Sequence, residues 1–277
     1  MSRVLICGLG MMAGAWVRCL ALPQHTLIGY DRDPKVRQAA LQEAWVDSTI
    51  DDLTQAPAVD VILLAMPVDG IIDALQQLQQ MHLPPTTLVT DIGSVKAPVM
   101  AAAQPLIAQG VSFVGGHPMV GSEHSGWRSA QNVVLAGQPY FLVAPEATAK
   151  ALPRLRHLLQ GQPRFVPMTA SAHDALMAQL SHAPHIAASA LVNATQLSAA
   201  QLQLAAGGFR DTTRIAMADP AVWTAISESN RTALAKQVAA VQAELTHFQA
   251  LLADGQRDEL FAWFQQAHQR RQEVEEG

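Results

Sequence analysis

The chain has 277 residues, of which 49% are hydrophobic and 15% charged, so it can fold as one large or two ordinary domains and is not intrinsically disordered. Its formal charge is −5, from 18 Lys and Arg against 23 Asp and Glu, which argues against nucleic acid as a partner. Two cysteines, Cys7 and Cys19, give no disulfide framework and favour a reducing, cytoplasmic compartment. The uncharged stretch 175–209 carries too many His, Asn and Gln side chains to cross a bilayer, so we expect no membrane partner.

The first half of the chain alternates short apolar runs with helix-like segments. Apolar runs that are continuous are typical of parallel strands buried on both faces. The predicted strands are 4–7, 26–30, 59–65, 87–90 and 112–114, with two further strands at 132–136 and 140–144. The predicted helices are 12–22, 34–44, 70–81, 95–108 and 148–159. Such an order predicts a doubly wound α/β domain.

The pattern changes after Pro167, where helical segments follow one another and no strand is predicted. The clearest helix spans 231–253 and carries an apolar seam at alternating spacings of four and three residues, which is typical of a helix that faces another helix. The seam consists of Leu234, Val238, Val241, Leu245, Phe248 and Leu252. A last helix at 257–268 leads into a charged tail, 270–277, that we expect to be frayed. We therefore predict an α/β domain over residues 1–167 and an all-α domain over residues 168–277.

A glycine motif, G-x-G-x-x-A, follows the first predicted strand and opens a helix. In dinucleotide-binding folds of the Rossmann type, the first glycine (here Gly8) makes a tight turn and the second (Gly10) lets the backbone approach the pyrophosphate. The small third residue (Ala13) packs helix against strand. Asp31 ends the second strand, 21 residues beyond Gly10 (31 − 10), where a carboxylate accepts hydrogen bonds from the ribose hydroxyls. These features together predict a bound nicotinamide dinucleotide.

The predicted cofactor is NAD, because the Asp31 carboxylate repels the 2′-phosphate of NADP, although Arg32 is able to pair with that phosphate. A third strand ends in Ala-Met-Pro, at the edge where open parallel sheets bind ligands. The predicted cofactor-binding residues are Gly8, Leu9, Gly10, Met11, Met12, Ala13, Asp31, Arg32, Ala65, Met66 and Pro67.

Two polar segments, 90–96 and 115–123, follow strands that end at the same edge. The second contains His117 after two glycines. A lone histidine is more often structural than catalytic, but this one is predicted to lie beside the nicotinamide. There it suits the oxidation of an alcohol, because imidazole takes the hydroxyl proton as hydride leaves the same carbon. The ten histidines form no H-x-x-x-H cluster with carboxylates, so we expect no metal site.

Five segments together closely resemble the prephenate and arogenate dehydrogenase family of tyrosine biosynthesis. They are GLGMMAG at 8–14, TDIGSVK at 90–96, GGHPMVGSEHSG at 115–126, the stretch 173–185 that ends in SHAPH, and GGFRDTTRIA at 207–216 with Trp223 beyond it. The resemblance implies oxidative decarboxylation of prephenate, or of arogenate, with NAD or NADP. It also implies that the helical half forms a homodimer interface.

The resemblance implies roles for six residues. His117 accepts the proton of the ring hydroxyl, Ser94 hydrogen-bonds this histidine and the substrate, and Arg214 holds the ring carboxylate. His185 and Arg210 match positions near the substrate side chain, and Trp223 matches a position that reaches the pocket of a neighbouring subunit. Arg210 stands where relatives have lysine, and Ala183 where leucine is usual.

Other interpretations remain open from the residues alone. Arg210 and Arg214 are also consistent with an ordinary solvated helix face, and His173 with Asp174 is consistent with a helix cap. A related β-hydroxyacid or imine dehydrogenase would use a lysine base in the second domain, but Lys236 on the long helix is the sole lysine after Lys150. A non-catalytic dinucleotide sensor would not need His117, Ser94 and Arg214 together.

Overall fold

The structure is a computed structural model that describes residues 2–20, 25–121, 126–160 and 162–276. Its centre is a sheet of eight strands in the order β3-β2-β1-β4-β5-β6-β7-β8, parallel throughout except for the antiparallel pair β6 and β7. The strands are β1 Ser2–Cys7, β2 His25–Tyr30, β3 Ser48–Ile50, β4 Val61–Leu64, β5 Leu88–Asp91, β6 Ser112–Pro118, β7 Pro139–Val143 and β8 Arg164–Pro167. Because β1 lies inside the sheet and the chain moves outward from it on both sides, the topology is doubly wound.

Both faces of the sheet are covered by apolar side chains. Along β1, Val4 and Ile6 belong to one buried cluster, whereas Leu5 and Cys7 belong to another, as expected when successive side chains point to opposite faces. The helices that accompany the sheet are α1 Met11–Val17, α2 Pro34–Gln42, α3 Val68–Gln79, α4 Ala97–Ala108 and α5 Leu152–Leu158. The predicted α/β class is confirmed.

All described elements after Pro167 are helical, as the sequence predicts. They are α6 Ala170–Met177, α7 Ala183–Asn193, α8 Ala199–Leu202, α9 Gly207–Thr213, α10 Pro220–Ser229, α11 Arg231–Ala253 and α12 Arg257–Glu276. One turn of π-helix, Ala178–His182, joins α6 to α7. Pro184 in the first turn of α7 lacks the N–H that a regular α-helix would need there, which accounts for the wider turn. Within the described ranges, no helix combines the length and the apolar character that a membrane crossing requires.

The structure corrects several predicted elements. The predicted strand 132–136 is wrong. Asn132 ends a 3-10 helix, Trp127–Asn132, and the residues after it pair with no described strand, although Val133 and Leu135 are buried and Val134 is exposed. Helix α1 ends at Val17, short of the predicted end, and residues 21–22 of that prediction lie outside the described residues. The predicted frayed tail is wrong over 270–276, because α12 continues to Glu276 with an ion pair between Arg271 and Glu275 one turn apart.

Two short strands, β3 and β8, lie at the outer edges of the sheet and are absent from the prediction. The predicted helix 148–159 is a 3-10 helix, Glu146–Ala151, followed by α5. Strand β6 is four residues longer than predicted and carries the Gly-Gly-His-Pro segment inside the sheet rather than after it.

Candidate active site

The turn between β1 and α1 is built around Gly8. Its φ is +89°, a conformation that favours glycine, and a Cβ there would lie 2.8 Å from the carbonyl oxygen of Ala65. By contrast, a Cβ on Gly10 would meet no atom within 4 Å, so open space faces this backbone. The fingerprint glycines therefore play two roles: one closes the turn against β4, and the other leaves room for a ligand.

A groove of about 510 Å³ runs over this turn at the carboxyl edge of the sheet. Its lining from the α/β half includes the predicted cofactor residues Gly8, Gly10, Asp31, Arg32, Ala65, Met66 and Pro67. Asp219, Ala221 and Val222, which begin α10, line it from the helical half. Of the other predicted cofactor residues, Ala13 is fully buried and Met11 and Met12 pack against the apolar core. The groove is thus bounded by both halves of the chain.

The Asp31 carboxylate is held at the end of β2 by backbone donors. Its Oδ2 accepts a hydrogen bond from Leu9 N at 2.9 Å, and its Oδ1 accepts one from Asp33 N at 2.9 Å. The first bond ties β2 to the glycine turn, so the anion and the open backbone at Gly10 have a fixed spacing.

A buried ion pair lies beneath the neighbouring strand ends. The Lys96 ammonium and the Asp91 carboxylate form it with both side chains fully buried. Lys96 Nζ also donates to the carbonyl of Gly116 at 2.7 Å, and Asp91 accepts from Gly93 N at 2.8 Å and from Gly116 N at 3.2 Å. Burial lowers the pKa of Lys96, an effect that the Asp91 carboxylate opposes. The pair therefore holds both the backbone N–H and the backbone carbonyl of Gly116, the residue directly before His117.

His117 is the outermost member of a chain of three side chains. Its Nδ1 lies 2.8 Å from Nε2 of His173, and His173 Nδ1 lies 2.7 Å from Oδ1 of Asp174. The two oxygens of Asp174 also accept hydrogen bonds from Lys96 N at 2.7 Å and Ala97 N at 2.8 Å, at the start of α4. His173 is completely buried and His117 half-buried, so the chain leads from the protein interior outward.

Burial lowers the pKa of His117 well below its ordinary value. Electrostatic repulsion from His173 and from the Lys96 ammonium lowers it further. His117 is therefore neutral at physiological pH, the state in which imidazole accepts a proton.

A second pair of histidines lies on the π-turn and α7. Asn230 Nδ2 donates to the carbonyl of Asp174 at 2.8 Å and lies 3.1 Å from His182 Nδ1. The ring of His185 stacks on Trp223, with centroids 3.4 Å apart and an interplanar angle of 11°. His182 Nε2 and His185 Nδ1 are buried and have no hydrogen-bond partner among the described residues. Burial lowers the pKa of both rings, that of His182 to about 4.

The structure does not bring the remaining predicted site residues together. Ser94 is half-buried and, within the described part of the chain, makes no hydrogen bond to His117, whose Nδ1 is engaged by His173 instead. Arg210 is exposed, and its Nε donates to the carbonyl of Ala205 at 2.7 Å. Arg214 is also exposed and precedes Ala216 by two residues; Ala216, His185 and Trp223 line a cavity of about 360 Å³. Residues at the start of α10 line both this cavity and the cofactor groove.

The groups that hold His117 in place are not apparent from the sequence. Lys96 and Asp91 lie within the segment 90–96, but nothing in the residue pattern shows that they are buried as a pair. The adjacent His173 and Asp174 suggest a helix cap, and Asp174 does cap a helix, although it is α4 rather than its own. In the described residues, no group of three or more His, Cys, Asp or Glu side chains is arranged to hold a metal ion.

A dinucleotide-type groove on a doubly wound sheet, with a neutral histidine at a neighbouring strand end and a helical second half, defines the class of nicotinamide-dependent dehydrogenases. Comparison with known proteins narrows the class. The model of the nucleotide-binding domain of prephenate dehydrogenase matches residues 20–163, and the model of its dimerization domain matches residues 169–266. The chain belongs to the prephenate dehydrogenase family.

Individual relatives agree with this assignment. The chain is 36% identical over 238 residues to a prephenate dehydrogenase of Lactococcus lactis, an alignment that covers 83% of this chain and 65% of that protein. The crystal structure of prephenate dehydrogenase from Aquifex aeolicus in complex with hydroxyphenyl propionate and NAD+ superposes with a TM-score of 0.90 at 27% identity, over 99% of this chain and 98% of that one. Synechocystis arogenate dehydrogenase superposes with a TM-score of 0.79 at 29% identity, over 98% and 99%.

Proposed function

We propose that the protein oxidises and decarboxylates prephenate to 4-hydroxyphenylpyruvate, a step of tyrosine biosynthesis. The observation that carries this proposal is the neutral His117 on β6, two strands along the sheet from β4, whose carboxyl end lines the dinucleotide groove. The names of the Lactococcus and Aquifex relatives support prephenate as the substrate.

The groove has the features that a dinucleotide needs. Open space over Gly10 leaves room for the pyrophosphate, and Asp31 offers a fixed carboxylate to the ribose. Ala65, Met66 and Pro67 line the groove where β4 ends, toward the segment that holds His117. When bound, the dinucleotide accepts a hydride from the hydroxyl-bearing carbon of the substrate. We propose NAD rather than NADP, because the Asp31 carboxylate would repel a 2′-phosphate. Arg32 is exposed, and no described contact fixes its guanidinium at the position that this phosphate would take.

The residues of the chain would act on one proton and two carboxylates. His117 takes the hydroxyl proton as the ring carbon becomes a ketone. Loss of the ring carboxylate as CO₂ then leaves its electron pair in the ring, which becomes an aromatic phenolate, and His117 returns the proton to that oxygen. One neutral base therefore serves both halves of the reaction, and no net proton is consumed.

We assign Arg214 to the ring carboxylate and Ser94 to the reacting hydroxyl beside His117. An arginine fork binds a carboxylate through two hydrogen bonds without protonating it, so the group is free to leave as CO₂. We assign His185, Arg210 and Trp223 to the substrate side chain. His182 Nε2 and His185 Nδ1 are buried without a partner in the described part of the chain, which supports a polar ligand on this side, since buried polar groups are normally hydrogen-bonded.

Arogenate is the second candidate substrate. It differs from prephenate by an amino group in place of the side-chain keto group, and the likeness to Synechocystis arogenate dehydrogenase favours testing it.

We also propose that residues 1–167 form the cofactor domain and that residues 168–277 form a helical domain through which two copies associate. Large apolar side chains on these helices are exposed in the single chain, among them Leu204, Met217, Leu245 and Phe261, and the matched family domain is a dimerization domain. The two cysteines are free and buried, which supports a cytoplasmic location.

A direct assay tests the proposal. Purified protein is mixed with prephenate or arogenate and with NAD or NADP, and formation of reduced cofactor is followed by absorbance at each of the four combinations. We expect turnover with prephenate and NAD. Turnover with arogenate alone would replace the substrate, and no turnover in any combination would overturn the enzymatic function.

A further inference from the structure

We propose that His173 and Asp174 are positioning residues that fix the tautomer of His117, leaving its Nε2 unprotonated and its Nδ1 protonated. This inference rests on the proposed function, in which His117 is the base. Only the unprotonated nitrogen of a neutral imidazole accepts a proton, so the choice of tautomer decides whether the outward-facing nitrogen is a base or a donor.

Asp174 determines which atom donates and which accepts in each hydrogen bond of the chain. Both of its oxygens accept backbone hydrogen bonds, from Lys96 N and Ala97 N, at the amino end of a twelve-residue helix where a negative charge is favoured. Such a carboxylate is ionised and can only accept. The 2.7 Å contact between its Oδ1 and His173 Nδ1 therefore requires a proton on that nitrogen.

The proton on His173 Nδ1 in turn fixes the tautomer of His117. A neutral His173 with a proton on Nδ1 has a lone pair on Nε2. At 2.8 Å from this nitrogen, His117 Nδ1 must be the donor. His117 then carries its proton on Nδ1 and its lone pair on Nε2. A chain of this kind, from carboxylate to imidazole, is how carboxylates orient histidines in metal sites and in hydrolases.

The surroundings of the chain keep it in one arrangement. His173 is fully buried and Asp174 is 5% exposed, so water does not compete for these bonds. The ring of Phe141 packs edge-on against His173 at 5.6 Å and lies 6.3 Å from the His117 ring, which limits rotation of both imidazoles. Asn230 Nδ2 donates to the backbone carbonyl of Asp174, and the Lys96 ion pair fixes the peptide before His117.

Asp174→Asn is the sharpest variant, because an amide can donate where the carboxylate can only accept. An amide N–H directed at His173 Nδ1 reverses the chain, so that His117 Nδ1 becomes the acceptor and its Nε2 carries the proton. We expect kcat to fall at least about 100-fold, with the KM for prephenate and the NAD affinity changed less than about threefold. Asp60→Asn is the matched control: its carboxylate accepts one backbone N–H, from Arg3, at the opposite edge of the sheet, and kcat should stay unchanged.

Two substitutions of His173 add a test by conservative replacement. Glutamine can still present an acceptor to His117 Nδ1, whereas phenylalanine fills the space without one. We expect His173→Gln to keep at least ten times the kcat of His173→Phe. Equal kcat values in these two variants, or a wild-type kcat in Asp174→Asn, would overturn the inference.

A spectroscopic measurement reads the tautomer without relying on turnover. Long-range proton–nitrogen NMR spectra of full-length protein labelled with ¹⁵N-histidine, with the His117 signals assigned by their loss in His117→Asn, should show a protonated Nδ1 near neutral pH. A protonated Nε2 would refute the inference even if prephenate is turned over. A protonated Nδ1 without turnover on any substrate would leave the tautomer intact and refute the proposed function instead. If Asp174→Asn does not fold, the wild-type spectrum and the two His173 variants decide the question.

Discussion

The dinucleotide groove and the histidine chain lie at different strands of one sheet and are assembled in different ways. Most of the groove lining comes from residues 8–77, a continuous run of βαβ structure, with three residues added by α10. The histidine chain joins the end of β6 to α6, and the groups that hold it come from β5, the start of α4 and the junction of α10 with α11. The first is a local construction, and the second depends on contacts between distant parts of the chain.

This difference separates binding from chemistry. Changes within the first βαβ unit should alter which dinucleotide binds, while the state of His117 should remain the same. Changes in the histidine chain or in the ion pair beneath it should alter turnover or stability, while the groove should remain able to bind its dinucleotide.

The largest effect should come from His117→Asn. Loss of a general base typically costs about 10²–10⁴-fold in rate, and asparagine retains a polar side chain of smaller size. We expect kcat to fall by that factor while NAD binding, measured by fluorescence titration, stays within about twofold. His157→Asn, on the exposed side of α5, is the control. Loss of NAD binding in His117→Asn would mean that the dinucleotide groove and the histidine chain do not act independently.

The next effect concerns the buried ion pair. Lys96→Met leaves the Asp91 carboxylate buried without its cation, and breaking such a pair costs about 3–5 kcal/mol in free energy of unfolding. The double variant Asp91→Asn with Lys96→Met should lose less than the two single variants added together, because neither charge is left alone. Denaturant unfolding of all four proteins measures this, and additive losses would contradict a direct coupling.

A third expected effect is a loss of stability in acid. The pKa of His182 is about 4 in the folded protein, below its ordinary value of 6.5, so the unfolded chain binds the proton more tightly. The folded state keeps its full advantage above pH 6.5 and loses it progressively as the pH falls toward 4. We expect Tm to drop between pH 7.5 and 5, and to drop less in His182→Asn, whose amide oxygen can still accept from Asn230. An equal decrease in Tm in the variant would show that other groups cause the loss of stability in acid.

Arg214→Ala should act on substrate binding more than on the rate of the bound complex. A hydrogen bond to a charged group is worth about 1.5–3 kcal/mol, so the KM for prephenate should rise roughly 10- to 100-fold. Arg214→Lys should recover part of this, because it restores the charge without the bidentate fork. Arg257→Ala, on an exposed helix start, is the control. An unchanged KM would remove Arg214 from the substrate site.

The smallest effect is expected at Asp31. Asparagine keeps an acceptor for Leu9 N but removes the charge that opposes a 2′-phosphate. Two unit charges about 4 Å apart in water interact by about 1 kcal/mol, so the preference for NAD over NADP should fall several-fold. Asp33→Asn, which changes the cap of α2, should leave the ratio of the two kcat/KM values unchanged.

The parts of the fold that the sequence predicted correctly are those with a strong local pattern. Residues 4–7 and 61–64 are continuous apolar strands in the interior of the sheet, and β5, Leu88–Asp91, begins with the apolar pair Leu88 and Val89. Helix α11 shows its helical spacing over its whole length. The edge strand β3 is three residues long and pairs only with β2, so little in its sequence distinguishes it from a loop. Residues 133–136 have the apolar content of a strand, but pairing depends on a neighbour that the local sequence does not specify.

The same distinction applies to the candidate site. The glycine turn and Asp31 are recognised from spacing because one βαβ unit brings them together. The contact between His117 and His173 joins residues 56 positions apart, and that between Lys96 and Asp174 joins residues 78 positions apart. Contacts between residues so far apart leave no periodic pattern in the sequence. The burial of Lys96 is also not predicted, because lysine side chains are usually exposed.

Asp174 offers its two carboxylate oxygens to the first peptides of α4, and through this cap the helical half is joined to the sheet half. The same carboxylate begins the chain that ends at His117. If the two halves separate, the cap opens and the base loses its orientation in one event. A partly folded chain would therefore be able to bind its dinucleotide but would not catalyse the reaction until the two halves have come together.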